Sequence, residues 1–357
     1  MQSSISMAKS ASATDMIPFS GVDEPLTHGG ALDAARRLFP DAAKPFVDLS
    51  TGINPNPYPM PRVPAKLFAR LPDASALAAL TAAAAAAYGA PSLAHVVAAP
   101  GTQILLPLAA GLARPGRAAI VSPTYSEHAR AAALAGHAVS EVRDLGAVAD
   151  AGLVILANPN NPDGRLFAKD DLIALAKELR PRGGVLLVDE AFMDAGPPGM
   201  SLAGEVSRGN IVVLRSFGKF FGLAGLRLGF ALAAPAMAAR IAALLGPWAV
   251  SAPALKVGTA ALADRTWIGK TRLGLAQAAT RLDAILTSSG LDIVGGTPLF
   301  RLVRARGAGE LFHHLGRAGI MVRVFVGQPA WLRFGLPARA QEWRRLEIAM
   351  AAWRDNG

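Results

Sequence analysis

The sequence predicts an α/β fold, a mainly parallel sheet flanked by helices, with a smaller α+β domain at the C-terminal end. Three observations predict it. The short apolar runs Ala118–Ser122, Leu153–Ala157, Val185–Asp189, Ile211–Leu214 and Leu228–Leu232 lack the polar alternation of a half-solvated sheet. That is the pattern of parallel strands buried on both faces. Between two of them, Lys169–Arg180 sets Leu172, Leu175, Ala176 and Leu179 on one apolar stripe, so the unit reads βαβ. Past residue 246, Pro247 and Pro253 interrupt the pattern, and short strands alternate with helices.

Taken in order, residues 1–15 are small and polar, without an apolar stretch of signal-peptide length, and read as a disordered tail. Residues 16–47 form an N-terminal arm expected to pack on the small domain, 48–245 the large α/β domain and 246–357 the small one. The alanine run Ala82–Ala87 continues the apolar stretch Leu77–Tyr88 and is simplest as a helix. Pro100-Gly101-Thr102-Gln103 opens a helical stretch over Ile104–Leu112. A long helical segment follows from Ala254 to Ser288, and then strands at Phe300–Val303, Met321–Val326 and Trp331–Phe334. No internal repeat appears, and no uncharged apolar run reaches the ~18 residues that would span a membrane.

Composition narrows the chemistry. A hydrophobic fraction of 52% with 17% charged residues is that of a compact globular chain. Cysteine is absent, which excludes disulfides, thiolate metal sites and a cysteine nucleophile. There are six histidines, and the adjacent pair His313-His314 is not at metal-ligand spacing, so no metal is expected. The net charge of +10 calls for anionic partners. Arg301, Arg304, Arg306, Arg317, Arg323 and Arg333 stand singly among apolar residues, as in a lined pocket, with no nucleic-acid-binding signature beside them. Small phosphate and carboxylate ligands fit, and the cytoplasm is the default location.

In open α/β sheets, ligands sit beyond the carboxyl ends of the strands. After Leu153–Ala157 comes the turn Asn158-Pro159-Asn160-Asn161-Pro162-Asp163-Gly164; Val185–Val188 ends on Asp189-Glu190; Ile211–Leu214 runs into Arg215-Ser216-Phe217-Gly218-Lys219. Alone, the first is a turn and the second a helix cap. In this order they bring an amide, a carboxylate and an amine to one sheet edge. Lys219 also lies in an apolar, glycine-rich run, a poor setting for a solvated surface lysine.

The segment Ser216-Phe217-Gly218-Lys219-Phe220-Phe221-Gly222-Leu223-Ala224-Gly225-Leu226-Arg227-Leu228-Gly229 resembles the lysine segment of fold-type I enzymes dependent on pyridoxal 5′-phosphate (PLP), the aspartate aminotransferase superfamily. The similarity runs from about residue 28 to the C-terminus. It implies that Lys219 anchors PLP covalently and can relay protons. Asp189 would keep the ring nitrogen protonated, Asn161 would donate to the ring 3-hydroxyl, and Tyr125 would stack on the ring. The helix start Gly101, Thr102 and Gln103 would offer N–H groups to the cofactor phosphate, with Ser216 and Arg227 as its other ligands. Arg333, flanked by Trp331-Leu332 and Phe334-Gly335, would take the substrate carboxylate, since an arginine among apolar residues needs an anionic partner.

Two features bear on the reaction. His28-Gly29-Gly30 with Val47-Asp48-Leu49-Ser50-Thr51-Gly52-Ile53-Asn54-Pro55, and Asp189-Glu190-Ala191-Phe192, resemble threonine-phosphate decarboxylases of cobalamin biosynthesis. This implies conversion of L-threonine O-3-phosphate to (R)-1-aminopropan-2-ol O-phosphate, with His28, Gly52, Asn161, Arg323 and Arg333 on the substrate and Arg323 and His28 as candidate handles for its phosphate. Histidinol-phosphate aminotransferases are the alternative, but they carry a tyrosine where this chain has Phe192, which cannot donate to the ring oxygen. They also carry a tyrosine for an inter-subunit phosphate contact where Ala69-Arg70-Leu71-Pro72-Asp73 has Leu71, while the homodimer remains expected. The two reactions differ in which Cα bond stands perpendicular to the ring. A PLP-binding regulatory module ranks last, because only about 25 residues precede His28, short of a domain of ~50.

Overall fold

The computed structural model describes residues 29–325 and 327–354, so the expected tail, the start of the arm and His28 lie outside the described residues. Strand β1 (Val47–Leu49) is followed by β2 (Val96–Ala99), β3 (Arg117–Val121), β4 (Ala138–Val142), β5 (Leu153–Ala157), β6 (Val185–Asp189), β7 (Ile211–Ser216) and β8 (Gly229–Leu232). After three helices come β9 (Asp292–Thr297), β10 (Phe300–Arg304), β11 (Ile320–Val324) and β12 (Trp331–Gly335). They form a seven-stranded sheet of order β2-β8-β7-β6-β5-β3-β4 and a five-stranded sheet of order β1-β11-β12-β10-β9.

The central strands are parallel from β4 through β3, β5 and β6 to β7, and every residue of β5 and β6 is buried. Helices on both faces leave no wet side, which explains the unbroken apolar runs. Strand β8 corrects the expectation of a parallel strand at Leu228–Leu232: it pairs antiparallel with both β7 and β2. Burial on both faces gives the same apolar run in either direction, so hydrophobicity did not carry the sense of the strand.

The helix Lys169–Leu179 buries the four residues of its stripe and places Asp170 and Asp171 in its first turn, where acids favour the helix dipole. The alanine-rich helix covers Ala74–Tyr88 and ends on Gly89 at φ 76°, a left-handed cap that glycine adopts without strain. The long helical segment is two helices, Ala252–Ala263 and Arg265–Ser288. Asp264 divides them, its carboxylate accepting from Trp267 N at 2.9 Å as the cap of the second. Among the described residues no helix is long and apolar enough to cross a membrane.

Val47–Leu49 pairs in parallel with β11 of the five-stranded sheet, so the expected boundary at residue 48 falls inside a strand of the smaller layer. The layers also touch backbone to backbone. A Cβ on Gly164 would lie 2.0 Å from Gly296 O, and one on Gly295 would lie 2.2 Å from Asp163 O. The turn after β5 is thus pressed onto β9.

Candidate active site

A cavity of about 730 Å³ opens at the carboxyl ends of β5, β6 and β7, where it meets β11 and β12. It gathers Tyr125, Asn161, Asp189, Ser216, Lys219 and Arg227 with Gly52, Arg323 and Arg333. Gly29 lines it as well, and a Cβ there would lie 2.4 Å from Ser50 O. That close approach accounts for glycine next to the strand segment.

One end of the cavity is an anion cradle. The helix Thr102–Ala110 starts at Gly101, whose φ of 94° favours glycine. A Cβ at that position would fall 2.8 Å from Arg227 Nη2. Arg227 itself sits in the left-handed region at φ 54° and ψ 64°, a strained backbone for a side chain of this size. Gly229 lets the helix start approach β8, since its Cβ would lie 2.7 Å from Thr102 N. Ser216 is the strand partner of Gly229, so Ser216, Arg227 and the first N–H groups of the helix converge. A phosphate of PLP fits there by charge and by the space that these glycines leave.

Lys219 is held from below. Asn54 N donates to Lys219 O at 2.9 Å, and Asn54 Nδ2 donates to Phe220 O at 2.9 Å, which fastens the Gly52–Pro55 segment to the lysine turn. The Lys219 Nζ stands 5.8 Å from the centre of the Phe192 ring. Burial, with Arg333 and Arg227 nearby and only Asp189 opposing, pushes its ammonium down to about 8. Phe192 meets Phe300 edge to face at 5.0 Å, and a Cβ on Gly52 would strike both rings at 2.9 Å. The absence of a side chain at Gly52 is therefore what lets the two rings pack against this segment.

Asp189 carries a partner that sequence reasoning missed. His128, fully buried on the helix Glu127–Leu134, places Nε2 3.0 Å from Asp189 Oδ2. Its Nδ1 lies 3.3 Å from Thr124 Oγ1, which donates to Asn160 Oδ1 at 2.8 Å. The other Asp189 oxygen accepts from Ala191 N at 3.0 Å. A histidine at a helix start has no spacing signal that points to a carboxylate 61 residues away.

Arg333 is buried, with Nη1 donating to Asn161 Oδ1 and Nη2 donating to Ser50 O at 3.1 Å. Its Nε has no hydrogen-bond partner, and its guanidinium lies 4.9 Å from the centre of the Phe300 ring. Burial first, then the charge of Arg323, pushes it down to about 9. Arg323 stands directly opposite Arg333 across β11 and β12, and burial brings it down to about 10. Asp48 partly offsets the charge of Arg333, and two cations across one cavity suit a ligand that carries anionic groups.

Tyr125 covers the remaining corner. Its hydroxyl donates to Gln103 Oε1 at 3.1 Å, and Gln103 Nε2 donates to Glu127 Oε2 at 2.6 Å. Burial, then Glu127 and Asp189, push the phenol up to about 12, so it stays protonated at neutral pH. Gln103 was expected to serve through its backbone; its side-chain bridge to Glu127 was not foreseen. Leu71 lies on the surface, 64% exposed.

Residues 46–346 match the family described as aminotransferase class I and II. A threonine-phosphate decarboxylase of Sinorhizobium sp. is 44% identical over 92% of this chain and 98% of that protein. Another, from Pseudomonas aeruginosa, is 42% identical over 92% and 98%. Among solved structures, histidinol-phosphate aminotransferase from Sinorhizobium meliloti in complex with pyridoxal-5′-phosphate superposes with a TM-score of 0.77 at 22% identity, covering 91% of this chain and 94% of that one. L-threonine-O-3-phosphate decarboxylase from Porphyromonas gingivalis gives 0.71 at 20% identity, over 86% and 99%. These two structures share the fold.

Proposed function

We propose that this chain, which belongs to the aminotransferase class I and II family, is a PLP-dependent decarboxylase of L-threonine O-3-phosphate, releasing (R)-1-aminopropan-2-ol O-phosphate for cobalamin biosynthesis. The observation that carries this reading is the 42–44% identity to two threonine-phosphate decarboxylases over nine-tenths of the chain.

The cavity supports it. Lys219 would hold PLP covalently, and Asp189, kept in place by His128, would face the ring nitrogen. Asn161 would donate to the ring oxygen, Tyr125 would cover the ring face, and the cradle of Gly101, Thr102, Gln103, Ser216 and Arg227 would take the phosphate. When bound, PLP supplies the electron sink that stabilises the electron pair left on Cα as carbon dioxide departs.

The substrate carries two anionic groups, and the two facing arginines supply two cations. Arg333, tied to Asn161 and Ser50, would hold one end, and Arg323 the phosphate at the other; Gly52 leaves room against the Phe192–Phe300 wall. Between two fixed ends, Cα has little freedom to turn, so the bond presented for cleavage is set by binding. Lys219 would then return a proton to Cα from its Nζ. The expected role of His28 in holding the phosphate remains part of this reading, although that residue lies outside the described ones.

A homodimer acting in the cytoplasm belongs to the same reading. The exposed Phe68 and Leu71, 72% and 64% accessible in and just after the short helix Lys66–Ala69, support a subunit contact there. The test is to incubate the protein and PLP with threonine phosphate, with and without an added 2-oxoacid, and to assay carbon dioxide against keto acid. Carbon dioxide without any 2-oxoacid is expected; keto acid without carbon dioxide would overturn the reading.

A further inference from the structure

The hydrogen bonds around Tyr125 have a direction fixed from outside the cavity. A carboxylate only accepts hydrogen bonds, so the amide –NH₂ of Gln103 must face Glu127. The observed 2.6 Å contact from Nε2 to Glu127 Oε2 has that orientation, and Arg130 Nη1 adds a second donor to the same oxygen at 3.3 Å. The Gln103 oxygen is thereby turned to Tyr125, and the single phenolic proton is committed to it at 3.1 Å. What the hydroxyl offers elsewhere is lone pairs. Tyr125 lines the same cavity as Arg323, and each acts on the charge of the other.

We propose that Gln103 and Glu127 are positioning residues that fix the Tyr125 hydroxyl as an acceptor toward the cavity, which bars an anionic oxygen from the Tyr125 corner and leaves the substrate phosphate to Arg323. The identity of that anion rests on the decarboxylase reading. The device sorts the ends of a doubly anionic substrate. A phosphate that strayed to Tyr125 would meet lone pairs, whereas a free phenolic proton there would hold it in the wrong place. Lone pairs in the cavity that also holds Arg323, by contrast, favour its guanidinium.

The test uses holoenzyme and inorganic phosphate as the probe, with affinities read by calorimetry. Gln103→Leu releases the phenolic proton, so phosphate is expected to bind about tenfold more tightly, the gain from one hydrogen bond to a charged group. In a Tyr125→Phe background the same change should move the affinity by less than about twofold. An equal shift in both backgrounds, or no tightening at all, would overturn the proposal, since either places the effect of Gln103 in the helix start rather than in the hydroxyl. Glu127→Gln serves where Gln103→Leu fails to retain the cofactor. It lets the Gln103 amide turn over, and a tightening of about threefold that vanishes with Tyr125→Phe is expected. If this phosphate pattern appears without carbon dioxide release from threonine phosphate, the positioning role stands and the decarboxylase reading falls; carbon dioxide release with phosphate binding indifferent to Tyr125 gives the reverse.

Discussion

His128 Nε2 lies 3.0 Å from Asp189 Oδ2, both side chains are buried, and the histidine is fixed from its other nitrogen by Thr124. The pair joins the helix after β3 to the end of β6. His128→Ala leaves the Asp189 oxygen without its side-chain donor and the carboxylate held by Ala191 N alone, which would weaken its proposed hold on the ring nitrogen. A fall in kcat of about ten- to a hundredfold is expected, the weight of a hydrogen bond to a charged group. Steady-state carbon dioxide release checks it, and His128→Asn, which keeps a donor, should recover part of the loss.

The depressed Lys219 gives a pH dependence with a definite sign. The unprotonated amine is the nucleophile, and its ammonium is brought from an ordinary 10.5 to about 8. Covalent uptake of PLP by the apoenzyme should therefore quicken as pH rises through about 8 and level off above it. Arg333 is the leading charge behind the depression after burial, so Arg333→Met should move that midpoint upward. Stopped-flow absorbance across pH measures both. Lys219→Ala should never acquire the yellow colour that borohydride reduction bleaches while leaving the pyridoxyl group fixed to the chain.

Gly229→Ala tests the anion cradle without touching a charged group. Its methyl would sit 2.7 Å from Thr102 N and 2.8 Å from Gly101 C, so the helix start must retreat. PLP affinity should fall about tenfold or more, as the N–H groups lose their aim at the phosphate. Equilibrium titration of apoenzyme with PLP reads the change.

Arg323→Ala should raise the dissociation constant for threonine phosphate by about tenfold or more and leave that for threonine within about twofold. Calorimetry on both ligands checks it. An unchanged affinity for threonine phosphate would remove Arg323 from the phosphate.

Behind the site, Arg215 pairs with Glu190 at 2.8 Å and with Asp194, all three buried, and lies 4.4 Å from the centre of the Tyr88 ring. Arg215→Met strands two carboxylates in the core. A loss of about 3–5 kcal/mol is expected, seen as an earlier urea midpoint.

Much of this site was legible because parallel strands deliver their last residues to one edge. The apolar runs located β5, β6 and β7, and Asn161, Asp189, Ser216 and Lys219 at or beyond their ends line the cavity. What escaped the sequence depends on contacts between distant segments. His128 and Glu127 occupy an ordinary helix start, and only the packing of that helix against the helix Thr102–Ala110 and the reach of His128 to the end of β6 give them partners. The pairing of Arg323 with Arg333 follows from the register of β11 on β12, which apolar patterning leaves open. The sense of β8 and the break at Asp264 were hidden for related reasons, since burial does not encode direction and a short cap does not disturb an apolar stripe.

The contact of Gly164 with Gly296 bears on how the enzyme would close. With less than a methyl group of clearance between the two backbones, the β5 turn and the β9 edge cannot slide past each other. Any swing of the five-stranded layer must pivot near this point. Asn161 sits three residues from that point and accepts from Arg333 of the five-stranded layer through its side-chain oxygen. An anion seized at Arg333 would therefore tug on the amide that, in the proposed reading, faces the cofactor, so arrival at one end of the cleft would be felt mechanically at the other.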